Sequence, residues 1–148
     1  LADNFSFSQI PADTIVAMSA TADDQIVSQL CGGDAHSPTA TYSLVEHAVQ
    51  LSRASGARVH VGAIVSSAIF YDTRQGIMQR WKDRGHLAVE MEAAVLYTLG
   101  ALHKIETLCM ATISDLIASE SEAERISDAE LKQGVDRMME VACQVAIG

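Results

Sequence analysis

The chain has 148 residues, 49% of them apolar and 20% charged, the balance of a folded domain rather than a disordered segment. Its 19 acidic residues against 10 Lys and Arg leave a formal net charge of −9, which argues against a protein that grips nucleic-acid phosphates or an anionic membrane face. No apolar run approaches the roughly 18 residues of a spanning helix. Leu1-Ala-Asp-Asn-Phe5 carries neither a basic nor a hydrophobic signal region, so a soluble, cytoplasmic chain is expected.

Leu rather than Met stands first, which reads as processing or as a piece of something longer. Thr14–Ala20 is a short apolar run with the character of a buried strand, and residues 21–40 read mostly as loop. From Tyr42 to Ser55, Leu44, Ala48 and Leu51 share one helical face, and Gly56 is the expected stop. Arg58–Val65 alternates and then turns wholly apolar, as a central strand does. Gln75–Arg84 is a short predicted helix with Ile77, Met78 and Trp81 inward, and Leu87–Val89 opens another strand. Ala93–His103 is a strong helix former containing Leu96, Leu99 and Ala101, and Ile105–Ile113 is a further strand. Ser127-Asp-Ala-Glu130 is a capping box that opens a last helix with a stripe of Leu131, Val135, Met138, Ala142 and Val145. Strands alternating with helices predict one α/β domain over residues 1–148, a three-layer sandwich with a mostly parallel central sheet.

Ligands in such sheets collect beyond the carboxyl ends of the strands. That rule selects Ser66–Tyr71, Glu90–Glu92 and Ser114-Asp115. Glu90 and Glu92 cost desolvation energy at an apolar strand end unless satisfied. A carboxylate there can bridge the adjacent hydroxyls of a ribose, or Glu92 can cap the following helix. Asp115 reads as a general acid or as a loop-initiating Asp, Phe70-Tyr71 as a stacking surface or as core, and Arg125 as a partner for Asp115 or a solvated cation. Cys31, Cys109 and Cys143 lack metal or disulfide spacing, so reduced thiols are expected, with Cys109 packed in the core. No metal site is expected, and the five scattered histidines receive no role.

Taken together, Arg58-Val-His-Val-Gly62, Ser66-Ser-Ala-Ile-Phe-Tyr71, Ala88-Val-Glu-Met-Glu-Ala-Ala94 and Thr112-Ile-Ser-Asp115 resemble, in order and spacing, the hexameric bacterial-type purine nucleoside phosphorylases. The Val-Glu-Met-Glu-Ala-Ala segment and the later Ser-Asp are shared with the wider nucleoside phosphorylase and nucleosidase superfamily. Phe-Tyr and Ala123-Glu-Arg125 tilt the match to the purine phosphorylases. The resemblance implies that Phe70 stacks on the purine and Val89 lines its pocket. It implies that Met91 packs on the ribose, Glu92 accepts from its hydroxyls, and Glu90 lies beside them. Asp115 would protonate the purine at N7, placed by Ser114 and assisted by Arg125. Phosphate would be a co-substrate, and no cofactor is implied.

Three departures stand out: Leu116 follows Asp115 where the family usually has His, Ala68 stands where an acid is common, and the segment between Asp115 and Arg125 is shortened. The resemblance also implies a nucleoside phosphorylase-like fold that is incomplete at the N-terminus, lacking the family's phosphate-binding segment. The expected activity is purine nucleoside phosphorolysis, by a C-terminal portion or truncated form. The expected assembly is a homo-oligomer, dimer-based or hexameric, or a complex with a complementing N-terminal piece. A nucleosidase, or a non-catalytic remnant that binds nucleoside or assembles with relatives, is the alternative.

Overall fold

The computed structural model describes residues 2–4, 12–119 and 122–148; residues 1, 5–11, 120 and 121, with most of the N-terminal stretch read above, lie outside that description. In chain order the described elements are β1 (Ala2–Asn4), β2 (Thr14–Ala22), α1 (Ile26–Leu30), α2 (Tyr42–Ala54), β3 (Val59–Ser66), α3 (Ile77–Asp83), β4 (Ala88–Glu90), α4 (Ala93–His103), β5 (Cys109–Ser119), β6 (Glu122–Arg125) and α5 (Asp128–Ile147).

β2 is the spine of the sheet. Ile15, Val16 and Ala17 are all fully buried because successive side chains serve opposite faces. Ile15 and Ala17 join Ile64, Ala88, Ala93, Ala94, Tyr97 and Ile113 in one core, while Val16 packs with Val45, Ala48, Val141 and Val145 in another. Helices therefore cover both faces, as expected of an α/β sandwich. The strand order is β1-β4-β3-β2-β5-β6, and β1 pairs with β5 as well as with β4, so the sheet curls around until both flank the same short strand.

The sheet is mixed where a mostly parallel one was expected. β2, β3 and β4 are mutually parallel neighbours and β1 is parallel to β5. β5 runs antiparallel to β2, β1 antiparallel to β4, and β6 antiparallel to β5. The reason lies after α4. Lys104 ends that helix in the left-handed region at φ 56°. The Thr107 carbonyl then accepts from the Thr41 amide at 2.9 Å, and the Thr107 amide donates to Thr41 Oγ1 at 3.0 Å. The chain thus enters β5 beside Ala17, the middle of β2, and runs back towards Thr14. At that junction Tyr97 Oη donates to the Ala17 carbonyl at 2.6 Å and accepts from the Cys109 amide at 3.0 Å.

The buried faces of α2 and α5 are rotated from the expected ones. α2 buries Val45, Ala48 and Ser52, with Leu44 and Leu51 at the margins. α4 buries Ala93, Ala94, Tyr97, Thr98 and Gly100, the last so close to Thr107 that a Cβ would meet its side chain at 2.6 Å; Leu96 and Leu99 stay partly exposed. α5 is opened by the capping box expected at Ser127 and Glu130, and it buries Gly134, Val141 and Val145. A Cβ on Gly134 would sit 2.8 Å from Thr112 and 3.1 Å from Ala12, so the glycine sets how closely α5 approaches β5. Among the described residues no helix is long and apolar enough to cross a membrane.

Candidate functional site

The ends of the parallel strands form one hydrogen-bonded edge. Ala22 stands opposite Ser66, and Ser66 opposite Glu90. The Asp23 amide donates to the Ser66 carbonyl at 2.9 Å, and the Ser67 amide to the Glu90 carbonyl at 2.8 Å. Glu90 is buried. One of its oxygens accepts from Ser66 Oγ. The other accepts from the amides of Glu92 at 2.8 Å and Ala93 at 2.7 Å, and Ser66 Oγ in turn accepts from Ala94 at 2.8 Å. The first turn of a helix exposes amides without internal partners, and the dipole there favours an anion. Glu90 meets both needs. The capping role considered for Glu92 thus falls to Glu90, and Glu92 occupies the N-cap position of α4 with an exposed side chain and no cap bond.

Beyond the end of β3 the chain carries Ile69, Phe70 and Tyr71, which are 52%, 70% and 85% exposed. The two rings meet edge to face with centroids 5.0 Å apart. A core role for this pair is therefore ruled out. Met91 is also largely exposed, whereas Val89 packs against the buried group of Val65, Ile77 and Trp81. The end of β4 thus presents a thioether and a carboxylate, Met91 and Glu92, outside the core.

Ser114 and Asp115 lie within β5 rather than in a loop after it, because the strand continues to Ser119 and pairs with β6. Since β5 is antiparallel to β2, its carboxyl end points away from those of β2, β3 and β4. The curl of the sheet reverses that separation. Asp3 is the register partner of both Val89 and Asp115. Two strand spacings, about 10 Å, therefore separate Val89 from Asp115. Ser114 is buried, and its carbonyl accepts from the Ile126 amide at 3.2 Å. Asp115 is half-buried and stands opposite Arg125 in the β5–β6 register; the Arg125 side chain lies outside the described part of the structure.

Sequence reasoning missed Asp23, Asp72 and Arg74. Arg74 Nε donates to both oxygens of Asp72 at 2.9 and 3.0 Å, Nη1 donates to Asp23 Oδ1 at 3.0 Å, and Nη2 reaches both carboxylates. These bonds hold the Asp72 carboxyl below its ordinary range. The Asp72-x-Arg74 spacing signals a local turn, but its partner Asp23 is 51 residues from Arg74 and gives no sign of the contact. Burial, by contrast, pushes the Cys109 thiol up to about 12, which suits a packed and unreactive cysteine. A separate cleft of about 570 Å³ beside α1, lined by residues such as Thr21, Asp24, Asp34 and His36, contains none of the predicted site residues. Among the described residues no group of three or more His, Cys, Asp or Glu could hold a metal ion.

Residues 8–147 match the family described as the phosphorylase superfamily. The chain is 37% identical over 134 residues to a DeoD-type purine nucleoside phosphorylase from Jannaschia sp. (strain CCS1), covering 90% of this chain and 56% of that protein. Its identity to the protein of the same name from Roseobacter denitrificans (strain ATCC 33942 / OCh 114) is 38%, with the same coverage. For Exiguobacterium sp. (strain ATCC BAA-1283 / AT1b) it is 36% over 135 residues, covering 91% of this chain and 56% of the relative. The chain therefore spans a little over half the length of these curated relatives. With a matched region that takes in every element from β2 to α5, it belongs to the phosphorylase superfamily.

Proposed function

We propose that the chain supplies the base- and ribose-binding part of a purine nucleoside phosphorylase, which converts a purine nucleoside and phosphate to the free base and ribose 1-phosphate. The observation that carries this reading is the division of labour at the end of β4. Glu90 is occupied by Ser66 and the α4 amides, while Glu92 stands exposed beside Met91. A carboxylate so placed has acceptor oxygens for two adjacent hydroxyls, and Met91 and Phe70 offer apolar surface for sugar and base.

In phosphorolysis the bond between C1′ and N9 breaks, its electron pair passes to the purine, and a phosphate oxygen bonds to C1′. Asp115, across β1 from Val89, donates a proton to N7 as negative charge grows on the base. Ser114 helps to place that acid, and Arg125, opposite it in register, assists the transfer. Glu92 steadies the ribose as it gains oxocarbenium character. Both carboxyl groups act most strongly in the transition state, and general acid help of this kind is worth about 10²–10⁴-fold.

Phosphate is the co-substrate, and its contacts come from a second copy of the chain or from a complementing segment. Arg74, which reaches Asp23 just past the end of β2, is already engaged by that residue and by Asp72. The test is purine release from inosine and adenosine with and without phosphate. Nucleoside binding with strictly phosphate-dependent release is expected. Equal release in phosphate-free buffer would contradict the reading and point to a nucleosidase.

A further inference from the structure

The aromatic tip at Phe70 and Tyr71 is exposed, yet the loop that carries it is closed at its base by one carboxylate. On the incoming side, Ser67 Oγ approaches Asp23 Oδ2 at 3.5 Å, donates to the Ile69 carbonyl at 3.2 Å and accepts from the Ile69 amide at 3.3 Å. On the outgoing side, Arg74 grips the same Asp23 together with Asp72, whose own Oδ1 accepts from the Arg74 amide at 2.9 Å. The Arg74 guanidinium also lies 6.0 Å from the ring centroid of Trp81, the buried anchor of α3. Three elements thus converge on one guanidinium: the end of β2, the aromatic loop and α3.

From this geometry we infer that Asp23 and Arg74 form a latch that positions the Phe70-Tyr71 platform for stacking on the base of the ligand. Arg74 is a positioning residue and Asp23 its anchor. The inference rests on the nucleoside reading above. A loop closed at both ends has fewer conformations to lose when a ring settles on it, so fixing the platform in advance raises affinity for the stacked partner. A planar fork that grips two carboxylates at once suits this role better than an ammonium, which acts as a point charge.

The experiment compares the unmodified chain with Arg74→Ala, Arg74→Lys and Asp23→Asn. It measures amide hydrogen exchange over residues 69–73, emission of Trp81, the chain's sole tryptophan, and calorimetric binding of inosine and of D-ribose. Arg74→Ala and Asp23→Asn are expected to speed exchange in the loop and weaken inosine binding about tenfold, with D-ribose binding unchanged. Arg74→Ala alters Trp81 emission, and Arg74→Lys restores only part of the inosine affinity. An equal loss for inosine and D-ribose would overturn the platform role, because it would reflect general disruption of the site. Unchanged exchange and unchanged inosine binding in Arg74→Ala would overturn the latch alone. Failure of the unmodified chain to bind inosine would overturn the nucleoside reading and this role with it, whereas the exchange data would still show whether the latch holds the loop.

Discussion

The two halves of the proposed site are assembled by different physics. The Glu90–Glu92 half sits where three parallel strands end together, and its backbone, hydroxyl and carboxylate groups are joined by short bonds within one compact edge. The Ser114-Asp115 half lies inside an antiparallel strand and reaches the first half only because the sheet curls until β1 bridges β4 and β5. The first is organised by local hydrogen bonds next to a helix N-terminus. The second depends on the register of strands far apart in the chain. Variants in the first half should therefore separate stability from binding residue by residue, and variants behind the second should act on the acid through the position of β5.

The largest separation is expected at Asp115. Asp115→Ala should lower phosphate-dependent turnover of inosine by about 10²–10⁴-fold while leaving the thermal unfolding midpoint nearly unchanged. An unaltered rate would remove Asp115 from the mechanism. Within the other half, Glu90 and Glu92 are near-neighbouring carboxylates with opposite duties. Glu90→Ala strips partners from Ser66 Oγ and the Glu92 and Ala93 amides, and it should cost about 3 kcal/mol in denaturant unfolding. Glu92→Ala should leave stability within experimental error and abolish measurable ribose-dependent binding.

A smaller effect is expected behind β5. Gly134→Ala adds a methyl where Thr112 and Ala12 are already close, and overpacking there should destabilise the fold by about 1–2 kcal/mol after the gain in helix propensity. If β5 also shifts, turnover falls with it. The smallest effect belongs to α5. Ser127→Ala removes the N-cap hydroxyl that accepts from the Glu130 amide, which should cost about 1 kcal/mol, and with it one of the two bonds that hold the Glu130 carboxyl below its ordinary range. The sign follows from that depression: the contribution is present above the unfolded-state value and is lost as pH falls through the folded one. The gap between variant and parent should therefore narrow in acid-unfolding curves without closing, since the bond from the Glu130 amide does not titrate, and a gap of constant size down to low pH would contradict the assignment.

The contrast between the halves also accounts for how much could be read in advance. Most helix positions were legible because period and caps are local: α4 runs over the expected residues, and the Ser127 box opens α5 as expected, whereas α1 lies in a stretch read mostly as loop and β5 runs on to Ser119 instead of ending at Ile113. The polar groups at Ser66 and Glu90 were legible because parallel strand ends obey a general rule. The direction of β5 was not, since it depends on where Thr107 pins the returning chain against Thr41. Nor was the exchange of roles between Glu90 and Glu92, which follows from the single turn that places one carboxylate under the α4 amides. The apolar stripes of α2 and α5 were misplaced by about one residue, because the close approach at Gly134 and the packing around Ala48 set the rotation of each helix.

The central claim is that Glu92, spared from capping α4, receives the ribose of a purine nucleoside. Calorimetric titration of inosine into the unmodified chain and into Glu92→Ala tests it most directly. Saturable binding by the unmodified chain, lost in a variant with the same unfolding midpoint, is the predicted result. Binding of equal strength in both proteins, or none in the unmodified chain, would contradict it.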